Sequence, residues 1–274
     1  MRKLLFFVFV LLFSASVFSL SEIDCSDPSY DCEGLRLYLR FNEAPVIGST
    51  VIHDYSSFSN DATFLGIGGS NDHAVAGVIN GAVNFDGNDY ANGATSSTLN
   101  IAGDITVELW LKTSSSGTIV QRYDTNSRGY AFKVNGDGRL AFYCDVYGWQ
   151  FSAATVNDGY WHHAVFVGSG SVGTFYVDGV PSGNVPYSYF NDTSENFFIG
   201  AHEGFSTYFS GDMDELRVWA RALSPEEIGG LHDNGYLFYG SEEEGPYIPE
   251  FTPLGLVFAM VLVLGISMML KKRN

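Results

Sequence analysis

Apolar and polar residues alternate along several short segments of the chain, and this period of two is typical of β-strands. Leucines occupy every second position of residues 35–39, and apolar side chains do the same in residues 107–111. Residues 161–167 place Trp161, His163 and two valines on one face, and residues 214–219 make a late strand. The chain is therefore predicted to be rich in half-buried strands.

Turn signals separate these strands. Asp178-Gly179 follows the β-forming residues 174–177, and residues 135–138 (Asn-Gly-Asp-Gly) lie between two more strand-like runs. Such pairs suit a hairpin turn, because its central residues need positive φ. Only residues 224–231 predict a helix, with Ser224 as cap and Pro225 in the first turn. Many short antiparallel strands without long helices predict an all-β, two-sheet antiparallel sandwich.

Two apolar segments lie at the ends of the chain. Residues 1–21 combine a basic start, a short apolar core and small residues, which indicates a secretory signal peptide; an uncleaved anchor is the alternative. Residues 252–270, which contain the 17-residue charge-free apolar run 254–270, predict a transmembrane helix. The basic residues 271–274 would then be cytoplasmic. The acidic, proline-containing residues 241–251 predict a stalk outside the membrane.

Pro249, Glu250 and Phe251 directly precede this apolar run and its basic tail. The three-part arrangement resembles a PEF-type C-terminal sorting signal of archaeal surface proteins. The resemblance implies that the apolar helix is removed when the protein is transferred to another anchor. A retained helix and a processed tail therefore both stay open, and either one places the protein at the cell surface.

The charge of the chain narrows the class of partner. The formal net charge is −17, which argues against nucleic acid because phosphate binding requires Lys and Arg.

Cys25 and Cys32 are close in sequence, and a disulfide between them is the simplest pairing, with Cys144 left as a buried thiol. Pairing of Cys144 with either of the other two stays open.

Seven sequence blocks resemble a LamG-like jelly-roll domain of the concanavalin A-like lectin/glucanase group, in that family's order. The blocks lie in residues 35–42, 54–63, 81–90, 104–112, 161–164 with 175–179, 211–219, and 221–228. The resemblance assigns residues 35–240 to one jelly roll, preceded by a cysteine-containing lead at 22–34. It implies binding or adhesion more often than catalysis, since the fold alone does not determine function.

The resemblance also implies one structural Ca²⁺. The matching positions are Asp54, Ser56 and Asn60 in a loop and Asp212 and Asp214 on a late strand. Carboxylate and amide oxygens suit this hard cation, and Asp212 and Asp214 share one strand face about 7 Å apart. Solvated turn acids without a metal are the alternative. The two adjacent histidines, His162 and His163, point to opposite faces and cannot chelate one ion together.

Aromatic residues in or near loops are candidates for stacking on sugar rings. They are Tyr123, Tyr147, Trp149, Tyr187, Tyr189 and Tyr208, together with Phe205. Ordinary core packing is the alternative for each of them. A sequon at residues 191–193 marks Asn191 as a glycosylation candidate.

These observations predict a non-enzymatic, surface-displayed module that binds an extracellular glycan or a surface protein. A divergent glycoside hydrolase or lyase is one alternative, but the acidic run at residues 212–215 lacks the framing glutamates of the fold group's glucanases. A structural envelope component without a ligand is the other.

Overall fold

The computed structural model describes residues 23–25, 30–42, 50–66, 73–123, 128–144, 146–189, 195–202 and 207–234. All of them belong to the compact unit Met1–Leu237, and the second unit, Phe238–Asn274, lies outside them. The predicted signal peptide, stalk, sorting motif and transmembrane helix also lie outside the described residues, as does Asn191. Within the ranges given above, no helix has the length and apolar character that crossing a membrane requires.

Two eight-stranded sheets make up the fold, and their neighbouring strands pair antiparallel. The first sheet has the order β14-β13-β12-β7-β16-β5-β4, with β1 also paired to β16. Its strands are β1 (Leu35–Leu39), β4 (Ala74–Ala76), β5 (Gly81–Asp86), β7 (Ile105–Thr113), β12 (Trp161–Ser169), β13 (Val172–Val177), β14 (Val180–Pro186) and β16 (Ser210–Trp219).

The second sheet has the order β11-β10-β9-β8-β15-β6-β3-β2. Its strands are β2 (Val51–Ile52), β3 (Ala62–Gly66), β6 (Asp89–Gly93), β8 (Gly117–Tyr123), β9 (Gly129–Val134), β10 (Arg139–Cys144), β11 (Gly148–Thr155) and β15 (Phe197–Ile199). A short 3-10 turn, Ser97–Leu99, and the helix α1, Pro225–Asn234, complete the described elements. The predicted all-β, two-sheet antiparallel sandwich is confirmed.

The predicted turns form as the residue types require. Asp178 and Gly179 have φ values of 52° and 73° and connect β13 to β14, which is the positive-φ pair of a type I′ hairpin. Residues 135–138 connect β9 to β10. At the start of α1, the backbone N–H of Ser224 donates to Glu227 and that of Glu227 donates to Oγ of Ser224. This reciprocal pair is a capping box and explains why the helix begins here.

The main core lies between the sheets, because inward-facing residues of both are apolar. Phe142 of the second sheet stacks on Phe166 of the first, with ring centroids 3.8 Å apart. Leu37 and Leu39 of β1 are also buried in this core. The free thiol of Cys144 lies there as well, and burial raises its pKa to about 12.

A second, smaller core covers the outer face of the first sheet. Ile228 and Leu231 of α1 pack with Trp219 of β16. The Cys25–Cys32 disulfide, present as predicted, packs beside this cluster. In this part of the first sheet, side chains that point inward and side chains that point outward are therefore both buried.

A buried ionic cluster lies within this second covered face. Arg217 Nη1 donates to Oε1 of Glu108 at 2.7 Å, and its Nη2 pairs with Glu215. His163 Nε2 lies 2.7 Å from Oε2 of Glu108, and the hydroxyl of Tyr38 donates to Glu215. Burial by itself would raise the pKa of Glu108, but Arg217 and His163 more than offset it and lower that pKa. The charges are thus compensated inside the fold.

Strand β16 organises the first sheet. One of its edges pairs with β7, while the other pairs with β5 at residues 210–213 and with β1 at residues 216–219. Between these halves lies an irregularity at residues 214–217, where Glu215 has a φ of 54°. The bulge shifts the side-chain alternation, so that Met213 and Leu216 both reach the main core.

Candidate functional site

Exposed aromatic and apolar side chains gather where two loops meet beside the second sheet. Val146 and Tyr147, in the turn between β10 and β11, are 74% and 50% exposed, and Tyr189, after β14, is 60% exposed. The backbone N–H of Val146 donates to Oγ of Ser188 at 3.2 Å, which connects the two loops. We call Val146, Tyr147, Ser188 and Tyr189 the aromatic rim.

The rim continues onto the outer face of the second sheet through Trp149. This half-buried ring lies edge-on to Tyr143, with centroids 5.5 Å apart, and Nζ of Lys133 lies 3.9 Å from its centroid. Burial lowers the pKa of Lys133. An ammonium over an indole face is a favourable contact, so Trp149 is held in place before any ligand arrives.

The same face carries a mixed apolar and amide row. Strand pairing aligns one residue from each of six neighbouring strands, from β11 to β6, and these are Trp149, Tyr143, Ala131, Gln121, Phe198 and Asn92. Ala131 and Gln121, in the middle of the row, are buried, so the rings that solvent reaches on this face include Trp149 and Tyr143 at its β11 end. The rim lies at the β11 end of this row.

Three of the six predicted aromatic residues lie at one place, two do not, and the sixth stays a prediction. Tyr147, Trp149 and Tyr189 lie at or beside the rim. Tyr187 is buried in the main core, and its hydroxyl donates to the carbonyl of Gly103 at 2.6 Å. Tyr208 is half-buried, and its hydroxyl oxygen is shielded from solvent. Tyr123 ends β8, but its side chain and Phe205 lie outside the described part.

The five predicted calcium positions fall into two separate groups. Both carboxylate oxygens of Asp54 accept hydrogen bonds, from the backbone N–H groups of Tyr38, Ser56 and Asn60 and from the Ser56 hydroxyl. Asn60 Nδ2 donates to the carbonyl of Arg36. The Asp54 carboxylate thus orders its loop by accepting hydrogen bonds from protein donors. Because these donors already occupy both of its oxygens, the carboxylate is not arranged to bind a metal ion together with residues of β16.

Asp212 and Asp214 have other partners at the far half of β16. Oδ1 of Asp212 accepts from Nδ2 of Asn84 at 2.6 Å. Oδ2 of Asp214 accepts from the backbone N–H groups of Val78 and Ile79. Among the residues described, no three His, Cys, Asp or Glu side chains form a group that could hold a metal ion. The arrangement does not fit one calcium site built from these five residues, and calcium binding stays a prediction.

The acidic run at residues 212–215 does not converge on one cleft. Asp212 and Asp214 have the partners given above, and Glu215 is fully buried against Arg217. A glycosidase needs two carboxyl groups that face each other across the scissile bond. These acids instead organise strand β16 and its neighbours.

The adjacent histidines face opposite ways, as predicted. His163 is fully buried beside Glu108, whereas His162 lies between Asp178 and Asp158, at 2.9 and 3.0 Å. Burial alone would lower the pKa of His162, but the two carboxylates reverse that effect and raise it. Both histidines therefore serve as hydrogen-bonded structural residues.

Solved structures of similar fold include several binding domains. The binding domain of Paraclostridial Mosquitocidal Protein 1 is similar with a TM-score of 0.57 and 16% identity over 73% of this chain and 52% of its own. The binding domain of Botulinum neurotoxin DC, in complex with rat synaptotagmin II, has a TM-score of 0.54 and 11% identity over 73% and 51%. The present chain thus spans about half the length of both.

Domain 4 of AbnA, an extracellular arabinanase from Geobacillus stearothermophilus, is similar over nearly its whole length. That domain, in complex with arabinotriose, has a TM-score of 0.55 and 19% identity over 72% of this chain and 98% of its own. At these identities the likeness concerns the fold. No curated protein matches the sequence.

The sequence also matches a family model. The Laminin_G_3 model, described as concanavalin A-like lectin/glucanases superfamily, matches residues 85–229, more than half of the 274 residues. This range includes the strands that carry Glu108 and Arg217 as well as the capping box of α1. The chain belongs to the concanavalin A-like lectin/glucanases superfamily.

Proposed function

We propose that this protein is a binding module that contacts an extracellular glycan or a surface protein through its aromatic rim. One observation carries the proposal. Two loops from different hairpins bring Val146, Tyr147 and Tyr189 together, and each of these side chains is at least half exposed among the described residues. Exposed apolar residues that cluster, rather than occurring singly, mark interaction surfaces.

The chemistry of the rim favours an uncharged or weakly polar contact. Tyrosines present a flat apolar face with a polar tip, which suits both sugar rings and protein side chains. The Trp149 and Tyr143 rings extend this surface onto the sheet, with Lys133 as the adjacent cation. The formal net charge of −17 makes the binding of polyanionic ligands to the molecule unfavourable. Proteins of this fold that bind arabinotriose or synaptotagmin II support the proposal by analogy only.

We propose in addition that the module is displayed outside the cell. The apolar segments at residues 4–13 and 254–270 and the basic tail support export and anchoring. Mass spectrometry of the mature C-terminus from cells distinguishes a retained helix from a tail cut at the Pro249-Glu250-Phe251 motif.

A glycan array and a cell-surface protein pull-down with the full chain test the rim. The double variant Tyr147→Ser/Tyr189→Ser removes two exposed rings and is expected to weaken binding roughly tenfold or more, as for central contact residues. Val51→Ser/Val180→Ser is the matched control, because both valines are exposed and lie away from the rim. This control is expected to bind like the wild type.

Three results would count against the proposal. Equal binding by the rim variant and the wild type would move the contact elsewhere. Release of reducing sugar, abolished by mutation of a carboxylate pair, would favour an enzyme. Self-association without any saturable ligand would favour a structural envelope component.

A further inference from the structure

A polar depression lies on the first sheet, away from the aromatic rim. Its volume is about 470 Å³, within the range of small-ligand sites. Its lining includes Asn84, Asp86, Lys112, Ser114, Ser210 and Asp212. These residues come from the adjacent strands β5, β7 and β16 and from the loop after β7. The site is therefore built on paired strands rather than on one loop.

Strand register aligns four side chains on this face of the sheet, and three of them, Asn84, Lys112 and Asp212, line the depression. Trp161 of β12 is opposite Lys112 of β7, Lys112 is opposite Asp212 of β16, and Asp212 is opposite Asn84 of β5. Residues directly opposite each other on antiparallel strands share one face of the sheet. An aromatic ring, an ammonium, a carboxylate and an amide thus form one row across four strands.

Asp212 is the fixed centre of the row. It is only 8% exposed, its Oδ1 accepts from Nδ2 of Asn84 at 2.6 Å, and its Oδ2 lies 3.3 Å from Nζ of Lys112. The preceding residue, Gly211, has a φ of 149°, and a Cβ there would lie 2.3 Å from the carbonyl oxygen of Lys112. Only glycine lets the strands approach so closely, so the backbone also holds Asp212 in place.

The charges of the depression exclude some ligands. Two carboxylates, Asp86 and Asp212, face one ammonium, so a phosphate or acidic sugar would meet repulsion. A metal ion would compete with Nζ of Lys112 for Asp212, and the described residues contain no group of three potential metal ligands. A neutral ligand meets neither obstacle.

We infer that this depression is a subsite for one neutral, polyhydroxylated ring of saccharide type. The remaining lone pairs of Asp212 accept hydrogen bonds from adjacent hydroxyls, while Lys112 donates to a hydroxyl oxygen. Trp161 lies outside the lining but next to Lys112 on the same face, where its ring is an apolar surface for a C–H face that extends beyond the depression. The serine hydroxyls at 114 and 210 supply further polar contacts. This subsite acts whatever the aromatic rim contacts.

Saturation-transfer NMR with the full chain tests the subsite directly. The probes are free glucose, galactose, mannose, arabinose and xylose, with glucuronic acid as the charged comparison. At least one neutral sugar is expected to bind in the millimolar range. Asp212→Asn is expected to weaken it about tenfold, since hydrogen bonds to a charged group are among the stronger ones. Asp137→Asn, in the β9–β10 turn, is the matched control and is expected to change nothing.

Further variants separate the subsite from a folding defect and from the rim. Lys112→Met changes a partly exposed side chain and is expected to weaken the same sugar several-fold with an unchanged melting temperature. Tyr147→Ser/Tyr189→Ser is expected to leave monosaccharide binding unchanged. Binding of glucuronic acid alone, no transfer to any neutral sugar, full binding by Asp212→Asn, or loss of binding in the rim variant would each overturn the inference. Failure of the rim proposal would instead appear as equal array binding by the rim variant and the wild type.

Discussion

Arg217 donates through Nη1 to Oε1 of Glu108 at 2.7 Å, and neither side chain is exposed to solvent. The two residues lie on the paired strands β16 and β7, directly opposite each other in the register. They come from two of the sequence blocks that identify the family. The pair therefore connects motifs more than 100 residues apart inside a covered sheet face.

Removing Arg217 is expected to be costly. Arg217→Met would leave Glu108 and Glu215 buried without their cation, and the free energy of unfolding is expected to fall by about 3–5 kcal/mol. Chemical denaturation followed by fluorescence measures this change. The exposed pair Arg139–Asp137 provides the control, because Arg139→Met is expected to cost less than about 1 kcal/mol. If Arg217→Met and Arg139→Met lowered the free energy of unfolding by similar amounts, burial of the Arg217–Glu108 pair would not increase its contribution to stability.

Stability should depend on pH through Asp214. Burial raises its pKa from 3.8 to about 7, even though the backbone N–H groups of Ile79 and Val78 oppose that change. The folded protein therefore holds this proton more tightly than the unfolded chain, so the contribution is complete below about pH 4 and is lost as pH rises through 7.

Asp214→Asn isolates this effect, because the amide oxygen still accepts from the backbone but cannot ionise. Relative to this variant, the wild type is expected to lose free energy of unfolding between about pH 4 and 7 and to change little at higher pH. Denaturation curves across that range provide the measurement. Asp104→Asn, an exposed acid before β7, is expected to run parallel to the wild type. Parallel curves for Asp214→Asn as well would contradict the assignment.

Thiol labelling should distinguish the three cysteines. The native protein is expected to react at no thiol, since Cys144 is buried and the other two are bonded. Denaturant alone should expose one thiol, and denaturant with reductant should expose three. Cys25→Ser/Cys32→Ser is expected to lower the free energy of unfolding by roughly 2 kcal/mol, as for a short closed loop. Early labelling of Cys144 in the native protein would contradict its placement in the core.

Asp54 offers a test of the calcium prediction. Asp54→Asn removes the carboxylate that accepts four protein hydrogen bonds, and the melting temperature is expected to fall by roughly 4–8 °C. The fall should be equal in excess calcium and in excess EDTA, because the loop is ordered by protein donors. If calcium stabilises the wild type and Asp54→Asn abolishes that gain, Asp54 is a ligand after all.

Much of the fold was predictable from local pattern. The leucines of β1, the Asp178-Gly179 turn and the Ser224 cap each depend on residues within a few positions, and each forms as predicted. The resemblance in seven blocks was sufficient for the family because those blocks are strands and turns. Tyr187 shows the limit, since its near-loop position gave no sign that its ring would pack on Phe166.

Long-range pairing determined the two candidate surfaces. The rim needs Tyr147 and Tyr189, which belong to different hairpins, and the row through Asp212 needs four strands in one register. No sequence signal places Asn84 beside Asp212 or Trp161 beside Lys112, because each pair is far apart along the chain and no repeat relates the two segments.

The amino-acid sequence by itself determined many of the strands, the tight turns and the family, since each of these depends on local conformation or on ordered motifs, whereas it left the pairing of the three cysteines open. Only the tertiary structure decided which side chains meet. Asp54 proved to be saturated by its own loop, and Asp212 was joined to Lys112 and Asn84, because sheet order and the bulge in β16 bring distant residues onto one face. That order arises because the inner faces of the two sheets are buried against each other, and no short stretch of sequence encodes this packing.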